Sequence, residues 1–300
     1  MGERVVIIKN PISGGGKGPF IGAVAERLLR GGQEVSIIPT EGPAHASDIT
    51  RELVSAGKTD VIIAAGGDGT IREVAEGAFG YDISLGIIPA GTANVLAREL
   101  GYMPHGRISA RHVSDVLLSR SIMDLYPFDV AFQGENHLGL CWLGAGFDAR
   151  VLAHVSPMLK ARVGRLAFVP ATLKALVEER KVSRINWAVE GGGSGHGGWA
   201  IVANIQRYAG PFLLTRQTKV NQPGLACLLM GETGALARMA DQIALLFGRL
   251  DRRAGIRILD SGSMSLGDSD SPIQLDGDFI GYGQVTIAPR KKAIAFRALV

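Results

Sequence analysis

Cysteine is scarce: two residues in 300, Cys141 and Cys227, each inside an apolar, strand-like stretch. They read as small packed hydrophobes rather than a bridge, which excludes a disulfide scaffold and makes a reducing compartment the expectation. Long apolar runs are missing as well. No stretch approaches the roughly 18 residues needed to cross a bilayer, and the first residues read as a strand rather than as a charged region followed by an apolar signal segment. The expectation is a cytoplasmic chain, neither exported nor spanning. Gly2 invites a myristoylation reading, but Val6 stands where Ser or Thr is needed. There is no arginine-rich tail and no basic run interleaved with aromatics. The net charge of +4 is too diffuse for nucleic acid, and suits an anionic ligand or a membrane surface. What the chain does have is 46% hydrophobic residues, enough to bury substantial cores in one large domain or two smaller ones.

It also has glycine in the right places. Val61-Ile62-Ile63-Ala64-Ala65 reads as a strand buried on both faces, the kind found inside a parallel sheet, and it runs directly into Gly66-Gly67-Asp68-Gly69-Thr70. Ile71, Val74, Ala75, Ala78 and Phe79 then recur at helical spacing. Strand, glycine turn and helix start together make an anion cradle, with no Cβ atoms to keep a phosphate from the backbone N–H groups. Asp68 is the odd member, because a carboxylate there repels phosphate unless a divalent cation sits between them. That points to a nucleotide with magnesium. The alternative is a tight turn whose Asp only caps the next helix.

Two similar turns flank this one in sequence. Val5–Ile8 leads into Asn10-Pro11-Ile12-Ser13-Gly14-Gly15-Gly16-Lys17-Gly18, and 85–88 leads into Pro89-Ala90-Gly91-Thr92-Ala93-Asn94. The first is not a Walker loop, because Gly18 stands where a Ser or Thr would take the metal. Thr40 closes another strand, where open parallel sheets place ligands, with a helix-start role as the alternative. Gly-Gly-Asp-Gly-Thr after a buried strand resembles the signature of the kinase superfamily that holds the diacylglycerol kinase catalytic domain, the sphingosine kinases and the NAD kinases. Asn-Pro-x-Ser-Gly is similar to the opening motif of the diacylglycerol kinase domain, and the segment Thr40 to Ala46 resembles a further family motif, with Ala44 in place of a glycine. Leu-Gly-Ile-Ile-Pro-Ala-Gly-Thr-x-Asn is close to the form of the bacterial lipid kinase branch. The resemblance implies ATP and Mg2+, with the metal reached by Asp68 through the nucleotide. It implies nucleotide contacts from Asn10, Ser13, Gly14, Thr40, Gly66, Gly67, Asp68, Gly69, Thr70, Ile71, Arg72, Gly91 and Thr92, and a loop brace at Asn94.

Alternating short strands and amphipathic helices make residues 1–122 a doubly wound α/β domain. From 123 to 287 the pattern turns to strands, at 125–132, 138–143, 185–189, 199–205, 224–230, 256–259, 263–266 and 273–275, which predicts a mainly antiparallel β-sandwich domain. The expected fold class is therefore α/β plus β, with a cleft between the domains and a tail of 288–300 packing back on the first. The glycine-rich 191–198 reads as a flexible hairpin loop with a solvated His196. Gly144-Ala145-Gly146-Phe147-Asp148-Ala149 has dinucleotide-fingerprint spacing, but no acidic residue follows at the distance that ribose binding requires. It resembles instead a family segment at the domain junction. The helical region 157–179 mixes Lys160, Arg162, Arg165 and Lys174 with apolar residues, which suits either a membrane surface or an ordinary helix whose basic stems snorkel over the core. The helical stretch 234–250 carries no evident chemistry.

Gln274-Leu275-Asp276-Gly277-Asp278 is on its residues a turn flanked by two carboxylates. The resembled family has Asp-Gly-Glu here, which implies that Asp278 is the base for the acceptor hydroxyl, one methylene short, with Asp276 beside it. Pro223 stands where the bacterial lipid kinases place an acid that holds a structural metal, so that metal is expected to be absent. The implied activity is phosphate transfer from ATP to a hydroxyl of a membrane lipid, diacylglycerol-like or sphingoid, by a peripherally attached enzyme, with a homodimer left open. The alternatives are a NAD kinase, and a catalytically silent nucleotide- or lipid-binding protein of the same fold.

Overall fold

The apolar runs of the first third become a parallel sheet. β1 (Arg4–Lys9), β2 (Glu34–Pro39), β3 (Val61–Gly66) and β4 (Ser84–Pro89) lie in the order β2-β1-β3-β4. Every residue of β3 is buried, as expected of a strand covered on both faces. The crossovers are α1 (Gly18–Arg30), α2 (His45–Ser55) and α3 (Asp68–Ala78). α1 buries Ile21, Val24, Ala25 and Leu28, one stripe at helical spacing. After β4 come α4 (Val95–Glu99) and α5 (Ala110–Ser119), the latter capped by Ser109, whose hydroxyl accepts from the His112 N–H. α1 packs on α5 and α2 on α3, the two-sided covering that right-handed crossovers impose.

The computed structural model describes residues 2–13, 17–156, 164–178, 184–231 and 234–299. It divides into two units, Met1–Leu125 with Lys292–Val300, and Tyr126–Lys291. β20 (Ile294–Arg297) completes the first sheet, parallel to β4 on one side and antiparallel to β5 (Ile122–Leu125) on the other. Its hold is polar as well as apolar. Arg297, almost fully buried, donates to the Leu117 carbonyl and to Glu3 Oε1, each at 2.6 Å, and the hydroxyl of buried Tyr102 donates to the Arg297 carbonyl at 2.6 Å.

The second unit contains two six-stranded sheets. One runs β10 (Ser194–Gly197), β9 (Ile185–Val189), β16 (Met264–Leu266), β19 (Val285–Pro289), β6 (Phe128–Phe132), β7 (Glu135–Gly139). The other runs β15 (Ile256–Ser261), β14 (Leu225–Met230), β11 (Trp199–Ala203), β8 (Trp142–Gly146), β17 (Pro272–Leu275), β18 (Asp278–Tyr282). A short ribbon of β12 (Arg207–Tyr208) and β13 (Phe212–Leu213) stands apart. Pairing within both large sheets is antiparallel. One apolar core joins their inner faces, with Phe128, Trp187 and Val285 from the first sheet against Leu143, Val202 and Ile273 from the second. Both cysteines are free and buried, and burial pushes the Cys227 thiol far up. Among the described residues, three α-helices accompany the sheets: α6 (Phe147–His154), α7 (Phe168–Glu178) and α8 (Ala235–Leu246).

The structure corrects several strand expectations. The single strand read over 125–132 is two, in different sheets, divided at Tyr126-Pro127, where proline has no N–H to continue a ladder. The glycine-rich 191–198 includes an edge strand, β10, on which His196 is exposed as expected, with its Nε2 3.1 Å from the Arg184 guanidinium. The Gly144–Ala149 segment lies inside the second unit, as β8 and the start of α6. Its glycines serve packing: a Cβ on Gly144 would collide with the Asp148 carboxylate, and one on Gly146 with Ile185. Within the 157–179 region, residues 157–163, including Lys160 and Arg162, and residue 179 lie outside the described residues, as does the side chain of Arg165.

Candidate functional site

In the first unit three strand-to-helix turns meet at the carboxyl ends of β1, β3 and β4, the edge where open parallel sheets bind ligands. Asn10 follows β1. Its N–H donates to the Ala65 carbonyl, its Oδ1 accepts from the Ile12 N–H, and its Nδ2 donates to Thr70 Oγ1 at 3.1 Å. The first turn is thereby tied to the central one. Ser13 closes the turn through its N–H to the Asn10 carbonyl, and Gly14 lies outside the described residues. Thr40, buried, gives its N–H to the Lys9 carbonyl, which pins the end of β2 beside Asn10.

The glycines of the central turn make room for other turns and side chains as much as for a ligand. A Cβ on Gly66 would overlap the Thr70 side chain, and one on Gly91 would overlap Gly67 Cα and come 2.9 Å from Asn94 Oδ1. Asn94, at φ +49°, returns both ends of its amide to Gly91: Oδ1 accepts from the Gly91 N–H and Nδ2 donates to the Gly91 carbonyl, each at 2.8 Å. Asp68 is the first residue of α3, where a carboxylate complements the helix dipole. Its Oδ1 accepts the Leu96 N–H at 3.1 Å, which joins the β3 and β4 turns. Thr92 is exposed and Arg72 half-buried. Ile71 differs from its expected role: the side chain is fully buried in the core and the N–H closes the first turn of α3 on the Gly67 carbonyl, leaving a ligand nothing to bind.

Residue motifs alone passed over Lys17. Its ammonium donates to the Gly91 carbonyl at 3.3 Å and the Pro89 carbonyl at 3.5 Å, and partial burial lowers its pKa from the usual lysine value. A cation therefore spans from the first turn to the third. The signal was a lysine closing a run of three glycines. Asp68 suits magnesium held jointly by one carboxylate, phosphate oxygens and water, the way this ion is commonly bound. Among the described residues no cluster of three His, Cys, Asp or Glu could cage a metal with protein ligands alone.

In the second unit, Asp276 and Gly277 form a two-residue hairpin turn between β17 and β18, at φ +52° and +91°, with Leu275 and Asp278 paired across it. Two left-handed residues in succession define the I′ turn, for which Asp-Gly is a favoured pair. The Asp276 carboxylate is buried and accepts three backbone N–H groups, from Leu140 at 2.9 Å, Cys141 at 2.7 Å and Trp142 at 3.0 Å. Both oxygens are engaged, so Asp276 holds the hairpin and is unsuited to proton transfer, a correction to its expected place in the catalytic pair. Asp278 is exposed at the start of β18.

A second brace reaches the same hairpin. The Gly277 N–H donates to Gln274 Oε1, and Gln274 Nε2 donates to Asp148 Oδ2, which also accepts the Tyr208 hydroxyl at 2.7 Å. Burial pushes the Asp148 carboxyl up, against the lowering effect of hydrogen bonds from Tyr208, Gln274 and the Ala149 N–H. The Tyr208 hydroxyl is raised well above its usual value by the same burial and by the charge of Asp148. Asn204 donates to the Tyr126 and Leu140 carbonyls, so it also supports the segment that binds Asp276. The resembled segment at 144–149, through Asp148, thus does mechanical work for the hairpin together with Asn204 and Tyr208.

The family model described as "Diacylglycerol kinase catalytic domain" matches residues 4–122. A diacylglycerol kinase of Mycobacterium tuberculosis is 39% identical over 100 residues, 33% of this chain and 32% of that protein. A diacylglycerol kinase of Bacillus subtilis is 31% identical over 172 residues, 55% of this chain and 53% of that protein. The chain thus spans about a third and about half of the lengths of these curated relatives. A crystal structure of a diacylglycerol kinase from Bacillus anthracis superposes with a TM-score of 0.71 at 17% identity, covering 99% of this chain and 97% of that one. That likeness concerns the fold.

Proposed function

We propose, for a chain whose residues 4–122 belong to the diacylglycerol kinase catalytic-domain family, that the protein is an ATP-dependent lipid kinase working at a membrane surface. The observation that carries the reading is the convergence of three glycine-bearing turns, tied by Asn10 to Thr70, Asp68 to Leu96 and Lys17 to Gly91. Such a cradle of N–H groups, one ammonium and one carboxylate suits a polyphosphate, and phosphoryl transfer asks the protein mainly for positioning and charge neutralisation. Gly66 to Thr70, Thr92 and Lys17 would line the nucleotide, while Thr40, Arg72 and Ser13 border it. Asp68 would hold magnesium through the phosphates, and the ion supplies neutralisation of their charge there.

Asp278 would take the proton of the acceptor hydroxyl as that oxygen bonds to the γ-phosphorus and the bond from phosphorus to the bridging oxygen breaks, releasing ADP. The backbone supports this role for Asp278 rather than Asp276: the turn displays the first outward and spends the second on three N–H groups. The acceptor is a lipid alcohol, diacylglycerol-like or sphingoid.

The test is transfer of label from γ-labelled ATP with magnesium into a panel of lipids in mixed micelles, and separately into NAD. Label in one lipid, lost in Asp68→Ala, is the expected result and names the acceptor. Label in NAD alone, or ATP binding with no transfer to any acceptor, overturns the reading.

A further inference from the structure

α8 is a surface helix turned inside out. Its two charged residues, Arg238 and Asp241, point inward: Arg238 is fully buried and Asp241 nearly so. They pair at 3.1 Å, Arg238 also donates to the Gly231 carbonyl, and its guanidinium lies 5.8 Å and 5.6 Å from the ring centroids of Phe147 and Trp199. Arg253 reaches Asp241 from the other side. The outward face is Leu236, Met239, Ile243, Leu246 and Phe247, with Leu236 82% and Phe247 75% exposed. A helix on a water-facing surface carries the opposite pattern.

The neighbouring helix repeats it. α7 packs against α8, and Leu166, just before α7, with Val169, Leu173 and Val177 along it, stand exposed at helical spacing. Contiguous exposed apolar surface rimmed by polar groups marks a contact site rather than ordinary surface. Among the described residues, the fully exposed charges beside it are basic. Lys174 is exposed on α7, and Arg249 and Arg252 are exposed just past the end of α8. The acids nearby are engaged: Glu178 with His154 at 2.7 Å, Asp241 inside, and Asp251 with Arg216.

We propose that the outer faces of α7 and α8 form the surface by which this protein docks on a bilayer containing anionic lipid, with the apolar side chains entering the acyl boundary and Lys174, Arg249 and Arg252 at the headgroups. Charge selects this occupant. A second copy joined by a two-fold axis would bring the same apolar face and the same cations together, with no fully exposed acid beside them among the described residues, whereas anionic headgroups are complementary to the rim. The proposal rests on the lipid kinase reading for its purpose, and adds where the acceptor's membrane is met.

The test is flotation of the full chain with phosphatidylcholine vesicles, with and without phosphatidylglycerol, in the absence of nucleotide. Wild type is expected to float with the anionic vesicles. Ile243→Gln with Phe247→Gln is expected to lower the partition by about tenfold or more, since two large apolar groups stay in water, and Arg249→Ala with Arg252→Ala to remove the preference for phosphatidylglycerol. All four positions are exposed, so melting temperatures are expected to match wild type, and so is turnover on a short-chain acceptor dispersed in water. No vesicle binding by wild type, equal binding by the first double variant, or a wild-type dimer in sedimentation that this variant dissolves would each overturn the proposal. Vesicle binding without phosphate transfer strikes the kinase reading and leaves the docking surface standing.

Discussion

The two carboxylates of the hairpin should separate cleanly in a paired experiment. In Asp276→Asn the backbone demand is still met, because Asn tolerates the left-handed φ of +52° as Asp does. What changes is the acceptor set. One oxygen becomes an NH2 group facing a buried N–H, either that of Leu140 or those of Cys141 and Trp142, and the remaining bonds lose their charge assistance. An unpaired buried N–H costs about 1–3 kcal/mol, and two hydrogen bonds weakened from the charged to the neutral kind lose about 1 kcal/mol each. The sum is about 3–5 kcal/mol, a large part of the 5–15 kcal/mol typical of a domain. At roughly 2–4 °C per kcal/mol for a unit of this size, the second unit's melting temperature should fall by about 10 °C. Asp278→Asn touches an exposed side chain and should leave the melt within about 1 °C while lowering turnover on the order of 100-fold or more. Calorimetry of both variants, with label transfer measured well below either melt, reads the two effects apart. An Asp276→Asn protein that melts like wild type yet transfers no phosphate would refute the structural role assigned to Asp276. An Asp278→Asn protein with full turnover would refute the base.

Three further outcomes follow from contacts already described. Gly91→Ala forces the β4 turn away from Gly67 and should raise the ATP dissociation constant by about tenfold or more, read by calorimetric titration, since backbone rather than a flexible side chain has to yield; an unchanged constant would remove that turn from the nucleotide site. The Arg4 guanidinium and the Arg4 N–H hold the Asp60 carboxyl down at about 2, so its contribution is present above the ordinary carboxylate value of about 4 and is lost as pH falls from there toward 2. Because the pair is roughly half exposed, Asp60→Asn should cost at most about 1 kcal/mol near neutral pH and progressively less as pH falls to about 2 and below, measured by denaturant melts. Asp148 has the opposite sign. Its folded pKa is raised, so the folded state binds the proton more tightly and stability falls as pH rises through that value; the stability of wild type relative to Asp148→Asn should therefore improve on acidification toward about 4. A constant difference would show that Asp148 titrates as it does in the unfolded chain.

The first four strands were legible because each is a short apolar run that ends at, or within two residues of, a glycine or proline, and position along the chain matches position in the sheet for β1, β3 and β4. The cradle was legible for the same reason: its turns are local, and only their mutual ties, such as Asn10 to Thr70, needed coordinates. β10 was hidden by glycine, whose lack of a side chain erases the alternation that announces an edge strand. β18 was hidden by its own mixed pattern of half-buried residues. The role of Asp276 was illegible because its three partners lie more than 130 residues earlier. Arg238 and Asp241 show the limit in another form. Charges at i and i+3 read as a solvated pair, and only the buried rings of Phe147 and Trp199 reveal that the helix faces the other way.

β20 has a consequence for the order in which the chain can acquire its shape. Four strands and five helices of the first unit are in hand once residue 119 has left the ribosome, yet the strand that seats between β4 and β5 comes more than 160 residues later. Until then β4 and β5 have bare edges where Phe296 and Ala298 will later be buried, and the nascent nucleotide unit waits, with an unpaired apolar seam, for the other unit to be synthesised. Closure over so long a loop is slow and topologically late. Final assembly of the cradle's own sheet therefore waits until the second unit has been made, and a cell making this protein quickly would have to shelter that seam for the whole interval.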